Sequence, residues 1–434
     1  MHDVTGSHPT TQQDKSRQLQ RRLYLAAKRS KNRRFHALYD RIYRMDILFR
    51  SWEQVRLKGG TAGVDEETIA EIEAQGVEQY LENISKQLKS GKYRPQPVKR
   101  VWIPKTDGSL RPLGIPAIRD RIVQQACRIV VDPIFEANFQ DSSYGFRPKR
   151  SAHQAVKAVK TDLIRNWWVL DADIRSYFDK IDQDILTSLL KRRISDQRVL
   201  KLMKQWLRSG VIDSGQWQPT ETGVPQGGVI SPLLANIYLH TLDTYWKQNY
   251  SSLGNLIRYA DDFVVICKTK GTAVKARSVI EHFLKRLKLD LHPDKTKIVE
   301  MSKEGFDFLG FHFYKLKSIK SGKLLPYCWP SQKAMKSVRR VINQITRRKW
   351  AGRDINQVVT EIDRVIVGWR SYFKVGNSTR KFQQLDKYVY QRVRRLAQIR
   401  CGSRGRWKED AFQNWLSRLG PKRFYSPGVC GLKP

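Results

Sequence analysis

The segment Leu256-Ile257-Arg258-Tyr259-Ala260-Asp261-Asp262-Phe263-Val264-Val265-Ile266 sets two adjacent carboxylates between two apolar runs. The β-branched and aromatic residues on either side predict a strand–turn–strand unit. Side chains alternate faces along a strand, so neighbouring aspartates share a face only if the turn re-aims one of them. A second apolar run, Trp167-Trp168-Val169-Leu170, leads straight into Asp171-Ala172-Asp173. Asp171 and Asp173 are two apart and face the same side of a strand. Carboxylates held beside apolar strands are costly unless something positive neutralises them. A divalent cation does this, because Mg²⁺ takes one or two carboxylates together with substrate phosphates. Carboxylates from two strand ends are the minimum for a two-metal clamp on a phosphoryl transfer. Taken singly, each motif also reads as a solvated Asp-Asp turn or as strand-end capping aspartates.

The charge balance narrows the partners. The 434 residues carry 81 Lys+Arg against 41 Asp+Glu, a formal net charge of +40. Such a surplus repels itself in a compact state unless a polyanion neutralises it. Nucleic acid is the first candidate and an anionic membrane surface the second. Hydrophobic residues make up 40%, with 12 Trp, 17 Tyr and 16 Phe, which excludes a wholly disordered basic chain. Cys127, Cys267, Cys328, Cys401 and Cys430 form no close pair, so neither a disulfide framework nor a zinc ribbon is expected. The polar N-terminus and the lack of any run near ~18 apolar residues point to a soluble cytoplasmic protein.

Residues 1–15 read as a disordered polar lead. From there to residue 50 cations crowd the text, among them Arg21, Arg22, Arg33 and Arg34, with Leu19, Leu23, Leu38 and Ile42 interleaved. Parts of this stretch read as basic amphipathic helix, either a solvated charged pair or a nucleic-acid arm. Asp107-Gly108 predicts a hairpin turn flanked by Lys105 and Arg111, two cations able to clamp a triphosphate or simply to sit on the surface. Gly223 to Asn236 combines glycines that permit close backbone approach with the start of a helix near Ser231-Pro232. Past Pro330, Met335, Val338, Val341, Ile342 and Ile345 recur at helical spacing, while Arg339, Arg340, Arg347 and Arg348 crowd the other side. An α+β body followed by a basic helical bundle is therefore expected.

The motifs also stand in a familiar order. Asp173 with Phe178, then Pro225-Gln226-Gly227, Tyr259-Ala260-Asp261-Asp262 and Leu309-Gly310 resemble the block series of reverse transcriptases. Arg111 to Pro116, Tyr144 to Pro148, Gly223 to Asn236, Arg258 to Asp262, Asp294 to Lys297 and Gly368 to Phe373 are similar to the bacterial group II intron reverse transcriptase/maturase family. The resemblance covers about residues 50–400. It implies an α+β right-hand polymerase, with fingers and palm and an α-helical thumb/maturase domain. The expected units are a basic N-terminal extension (1–50), fingers and palm (51–315), the helical domain (316–400) and a short tail (401–434) without an endonuclease.

By that resemblance Asp173, Asp261 and Asp262 would be the catalytic carboxylates holding two Mg²⁺ ions, with Mn²⁺ as a substitute. Asp171 is a neighbour without an assigned role. Phe178 would lie under the deoxyribose, and Lys105 and Arg111 would grip the dNTP triphosphate. Gln226 and Gly227 would line the primer and nucleotide site, and Lys295 would help pyrophosphate leave. The reaction implied is attack of a primer 3′-OH on the α-phosphate of a dNTP, directed by an RNA template. The implied partners are group II intron RNA, whose splicing and mobility the protein would assist, an RNA template with a DNA primer, and target DNA. RNA contacts are expected from Arg21, Arg22, Arg33, Arg34, Arg339, Arg340, Arg347 and Arg348. Two other readings stand beside this one: a non-enzymatic splicing factor on a retired polymerase fold, and a polymerase serving a host role such as phage defence.

Overall fold

The computed structural model describes residues 12–104, 108, 110–401 and 409–425. Among the described residues the first elements are the helices α1 (Gln12–Arg29), α2 (Tyr39–Ile42), α3 (Met45–Lys58), α4 (Ile69–Gln75) and α5 (Val77–Lys89). Leu19, Leu23 and Ala27 of α1 and Ile47, Leu48, Trp52 and Val55 of α3 are buried in the main core. The N-terminal stretch is thus no detached arm: its apolar stripe is built into the body while Arg21, Arg22, Arg33 and Arg34 stay exposed. A boundary at residue 50 falls inside α3.

Next come β1 (Val98–Pro104) and β2 (Leu110–Ile115), an antiparallel hairpin in register Lys99↔Ile115. Lys105, in its turn, lies outside the described residues. Helix α6 (Ile118–Glu136) runs through the core, and α7 (Ala152–Asp162) starts from a Ser151/Gln154 capping box. Strand β3 (Trp168–Asp173) is followed by α8 (Tyr177–Lys180), α9 (Gln183–Lys191), α10 (Gln197–Leu207), β4 (Val211–Asp213) and β5 (Gln216–Gln218). Helix α11 (Ser231–Asn249), with Pro232 in its first turn where no N–H is needed, leads to β6 (Asn255–Tyr259) and β7 (Asp262–Cys267). Then follow α12 (Lys270–Arg286), β8 (Lys297–Glu300), β9 (Phe306–Phe308), β10 (Phe311–Lys317) and β11 (Leu324–Pro330).

Among the described residues these strands form three sheets, in orders β2-β1-β4-β5, β6-β7-β3-β8 and β11-β10-β9. The middle sheet carries the acidic motifs. Leu170, Phe263 and Val265 point into the large core with α6, α11 and α12. Val169, Val264 and Ile266 point into a second core shared with α7 and the C-terminal helices. Both faces being covered explains why these strands read as unbroken apolar runs.

The C-terminal region contains α13 (Gln332–Ile345), α14 (Ile355–Phe373), α15 (Thr379–Cys401) and α16 (Glu409–Leu419). Met335, Val338 and Ile342 meet Val358, Ile362, Ile366, Leu385, Val389 and Val393 in its core. Val341, grouped with that stripe by spacing, lies on its rim instead. The helical domain expected at 316–400 takes in the end of β10 and all of β11, whose Pro326 and Pro330 suit a sheet edge, before its helices begin. Its core runs on past 400 to Phe412 and Phe424. Among the described residues no helix is long and apolar enough to cross a membrane.

Candidate active site

Strands β3 and β7 pair antiparallel in register Leu170↔Val265, which sets Asp173 directly opposite Asp262. Strands β6 and β7 close on Tyr259↔Asp262, leaving Ala260 and Asp261 as the two residues of the turn. Ala260 is left-handed, with φ 61°. This is the conformation that the preferred two-residue hairpin turns require, and it takes Asp261 out of strict strand alternation. Both Asp261 and Asp262 line one open cleft together with Arg111, Phe178, Gln226 and Gly227. At about 780 Å³ the cleft is within the size range of ligand sites.

The electrostatics of the cleft floor are those of crowded acids. Burial first, then Asp171, Asp173 and Asp261, pushes the Asp262 carboxyl up to about 8, against the pull of Lys295. Burial, Asp307 and Asp173 raise Asp171 to about 7. Asp261 is raised by burial and by Asp173, while its own backbone hydrogen bond and Arg111 act the other way. Like charges this close disfavour one another's ionised form, so the group stores an affinity for cations. The donors are hard oxygens with no thiol or imidazole among them, a set suited to Mg²⁺ or Mn²⁺. Among the described residues no three His, Cys, Asp or Glu side chains are already gathered as a metal-ligand cluster. Asp173 is instead neutralised from inside the protein: Lys295 Nζ donates to its Oδ2 at 2.9 Å. The loop bearing Lys295 is moored to the same strand by the His292 N–H, which donates to the Asp173 carbonyl at 2.7 Å.

On the opposite wall, Arg111 Nε donates to Gln226 Oε1 at 2.9 Å, and Gln226 Nε2 donates to Asp179 Oδ1 at 3.2 Å. The Gly114 N–H donates to the Gln226 carbonyl at 2.6 Å, fastening the 223–228 loop to β2. Gly227 has φ +113°, and a Cβ there would lie 2.2 Å from the Gly114 carbonyl oxygen, so no other residue fits the crossing. Phe178 is half-buried against Tyr177 at 5.4 Å between ring centroids, and its carbonyl accepts from the Val224 N–H at 2.8 Å.

Six residues singled out from the sequence thus line one space, Asp261, Asp262, Arg111, Phe178, Gln226 and Gly227, and Asp173 stands beside it, paired with Asp262. Lys295 joins them through Asp173. The expected RNA-contacting arginines lie elsewhere. Arg21, Arg22, Arg33 and Arg34 belong to α1 and the loop after it, and Arg339, Arg340, Arg347 and Arg348 to α13 and the turn after it. Arg339 is half-buried, stacked on Tyr388 at 5.7 Å, while Arg340, Arg347 and Arg348 are exposed. The sequence reading gave no role to Arg258 or Asp243, which form a fully buried ion pair. Its one sequence signal was an acid set on an otherwise apolar helix face, Leu239, Leu242, Asp243 and Trp246.

Comparison with known families agrees with this geometry. The family described as reverse transcriptase (RNA-dependent DNA polymerase) matches residues 103–313. The family described as group II intron, maturase-specific domain matches residues 335–415. The chain is 41% identical over 278 residues to protein YkfC of Escherichia coli (strain K12), covering 55% of this chain and 72% of that protein. It is 39% identical over 218 residues to the group II intron-encoded protein LtrA of Lactococcus lactis subsp. cremoris, covering 49% of this chain. That match spans 36% of the Lactococcus protein, well under two thirds of its length. An uncharacterized 91 kDa protein in the cob intron of Schizosaccharomyces pombe is 28% identical over 382 residues, 71% of this chain and 47% of that one.

Proposed function

The chain belongs to the group II intron reverse transcriptase/maturase family, and from that premise we propose that it is an RNA-directed DNA polymerase that also binds a group II intron RNA and assists its splicing and mobility. The observation that carries the proposal is the register of β3 on β7. It brings Asp173 against Asp262 beside the Asp261 turn, beneath a wall bearing Arg111 and Gln226.

In this reading Asp173, Asp261 and Asp262 hold two Mg²⁺ ions. When bound, the ions supply charge neutralisation for the attacking and leaving oxygens of the phosphoryl transfer. The protein's own contribution is positioning and fixed charge. Arg111 offers its guanidinium to the dNTP triphosphate, and Gln226 holds that guanidinium in place. Phe178 closes the floor where the sugar of the nucleotide lies, leaving no room for a 2′-OH. Lys295, released from Asp173, turns its ammonium toward the departing pyrophosphate. The template is RNA, read by base pairing, so the protein needs phosphate and shape contacts rather than a base code. The basic faces of α1 and of the C-terminal helices serve the intron RNA.

Primer extension on an RNA template with Mg²⁺ tests the proposal. Asp261→Ala and Asp262→Ala should each abolish dNTP incorporation, and persistence of incorporation would remove these residues from the site. Asp262→Ala should still stimulate splicing of the intron RNA, because the helical domain does not depend on that side chain.

A further inference from the structure

Arg258 lies at the end of β6, two residues before the acidic turn, and is 0% exposed. A guanidinium has five N–H donors, and here every one is spent. Nε donates to Asp243 Oδ1 at 2.8 Å, and Nη2 donates to Asp243 Oδ2 and, at 2.8 Å, to Ser143 Oγ. Nη1 donates to Asn236 Oδ1 at 3.1 Å and to the Ala260 carbonyl at 2.8 Å. Asp243 and Asn236 both belong to α11, and all four side chains are buried. A buried ion pair is weak evidence for stability, because well-packed apolar residues would serve as well. What it supplies is direction.

That direction is toward the turn. Ala260 is held left-handed, a strained choice for a residue with a Cβ, and its carbonyl is the one Arg258 grips. The same turn is pressed from the other side. The Tyr144 N–H donates to the Arg258 carbonyl and the Arg258 N–H to the Ser142 carbonyl, each at 2.8 Å. The next residue, Gly145, lies so close that a Cβ there would meet the Ala260 nitrogen at 2.4 Å. Asn236 Nδ2 donates to the Gly145 carbonyl at 2.8 Å, closing a ring through α11, the 142–145 segment and the turn.

We infer that Arg258 is a positioning residue: with Asp243, Asn236 and Ser143 it forms a buried clasp that fixes the Ala260 carbonyl, and so the placement of Asp261 and Asp262. The inference rests on the polymerase reading of the cleft and adds to it a determinant that touches no substrate. Arg258→Lys keeps the charge facing Asp243 but offers no planar fork to reach Ala260, Asn236 and Ser143 together.

In the full chain, Arg258→Lys should lower kcat for dNTP incorporation roughly 10- to 100-fold. KM for dNTP and affinity for primer–template should stay within about twofold. Hydrogen exchange at residues 260–262 should quicken while exchange in α11 and β3 is unchanged. Asn236→Ala leaves the Arg258–Asp243 pair whole and should move kcat and turn exchange the same way by a smaller factor. It also carries the test if Arg258→Lys does not fold. Wild-type kcat in these variants, or a loss shared equally by kcat, KM and RNA affinity, overturns the clasp. Turn exchange is read without any activity. A wild-type chain that extends no primer therefore counts against the polymerase reading, whereas unchanged turn exchange in the variants counts against the clasp.

Discussion

Arg111 Nε donates to Gln226 Oε1 at 2.9 Å, so a strand of the first sheet and a loop more than a hundred residues later share one guanidinium. The link aims a cation across the cleft at the acidic turn, and Asp179 steadies it from behind through Gln226 Nε2. Gln226→Ala should loosen Arg111 without removing its charge. We expect kcat/KM for dNTP to fall about tenfold, mostly through KM, in steady-state primer extension. Gln226→Glu should fall further, because a carboxylate would compete with the triphosphate for Arg111 and repel Asp179. Equal behaviour of the two variants would sink this account.

Phe178 tests the sugar floor. Its ring packs edge-on to Tyr177, and its backbone is held by the Val224 N–H on its carbonyl. Phe178→Ala should raise rNTP incorporation relative to dNTP in single-nucleotide competition. Unchanged discrimination would mean that another group excludes the 2′-OH.

The fold and the site were legible in different degrees. The strands β3, β6 and β7 announced themselves because both of their faces are buried, so Val169-Leu170 and Phe263 to Ile266 read as continuous apolar runs. What no local pattern could show was the register that sets Asp173 opposite Asp262, since it joins segments about ninety residues apart. The N-terminal cations concealed the opposite fact, that Leu19, Leu23 and Ala27 belong to the main core. Strand β11 was hidden by Pro326 and Pro330, which are breakers in a chain text but acceptable at a sheet edge. Arg258 was visible as a letter in the acidic motif, but its role depends on Asp243, Asn236 and Ser143, which converge only in three dimensions.

His240 carries a pH prediction for stability. It lies in α11 against Phe139, its Nδ1 is buried without a partner, and its Nε2 meets Thr244 Oγ1 at 3.4 Å. Burial pushes its pKa down to about 4, and Arg258, Arg147 and Arg192 add to the effect against the attraction of Asp243. An unfolded histidine titrates near 6.5, so between these values the unfolded chain binds more protons than the folded one. Its contribution is therefore present above about 6.5 and lost as pH falls toward 4. From pH 7.5 to 5 the loss should be about 2 kcal/mol. Asp132, raised to about 6 by burial, works in the opposite sense, so the readout must be a difference between chains. In urea unfolding, wild type minus His240→Gln should shrink by that amount on acidification, and a constant difference would refute it.

The last prediction concerns where the positive surplus is used. Arg347, Arg348, Arg392 and Arg395 line one open cleft of the helical domain with Asn343, Thr346 and Gln398. Helix α13 contains no acidic residue, and α15 contains Asp386 alone. The carboxylate of Asp386 is already taken by the backbone N–H groups of Phe424 and Tyr425, at 2.7 and 2.9 Å. Arg392 is preset, its Nε on Thr346 Oγ1 at 2.9 Å and its Nη2 on the Thr346 carbonyl at 3.1 Å. Arginines that neutralise phosphates release the counterions condensed on the nucleic acid, so their contribution is read in the salt dependence. Arg347→Gln and Arg348→Gln should each reduce the slope of log K against log salt for intron RNA by roughly 0.7 to 0.9. Primer extension at saturating primer–template should be unaffected, because neither residue borders the acidic cleft. If both slopes match wild type, the RNA lies on another face, and the exposed cations of α1 are the next to replace.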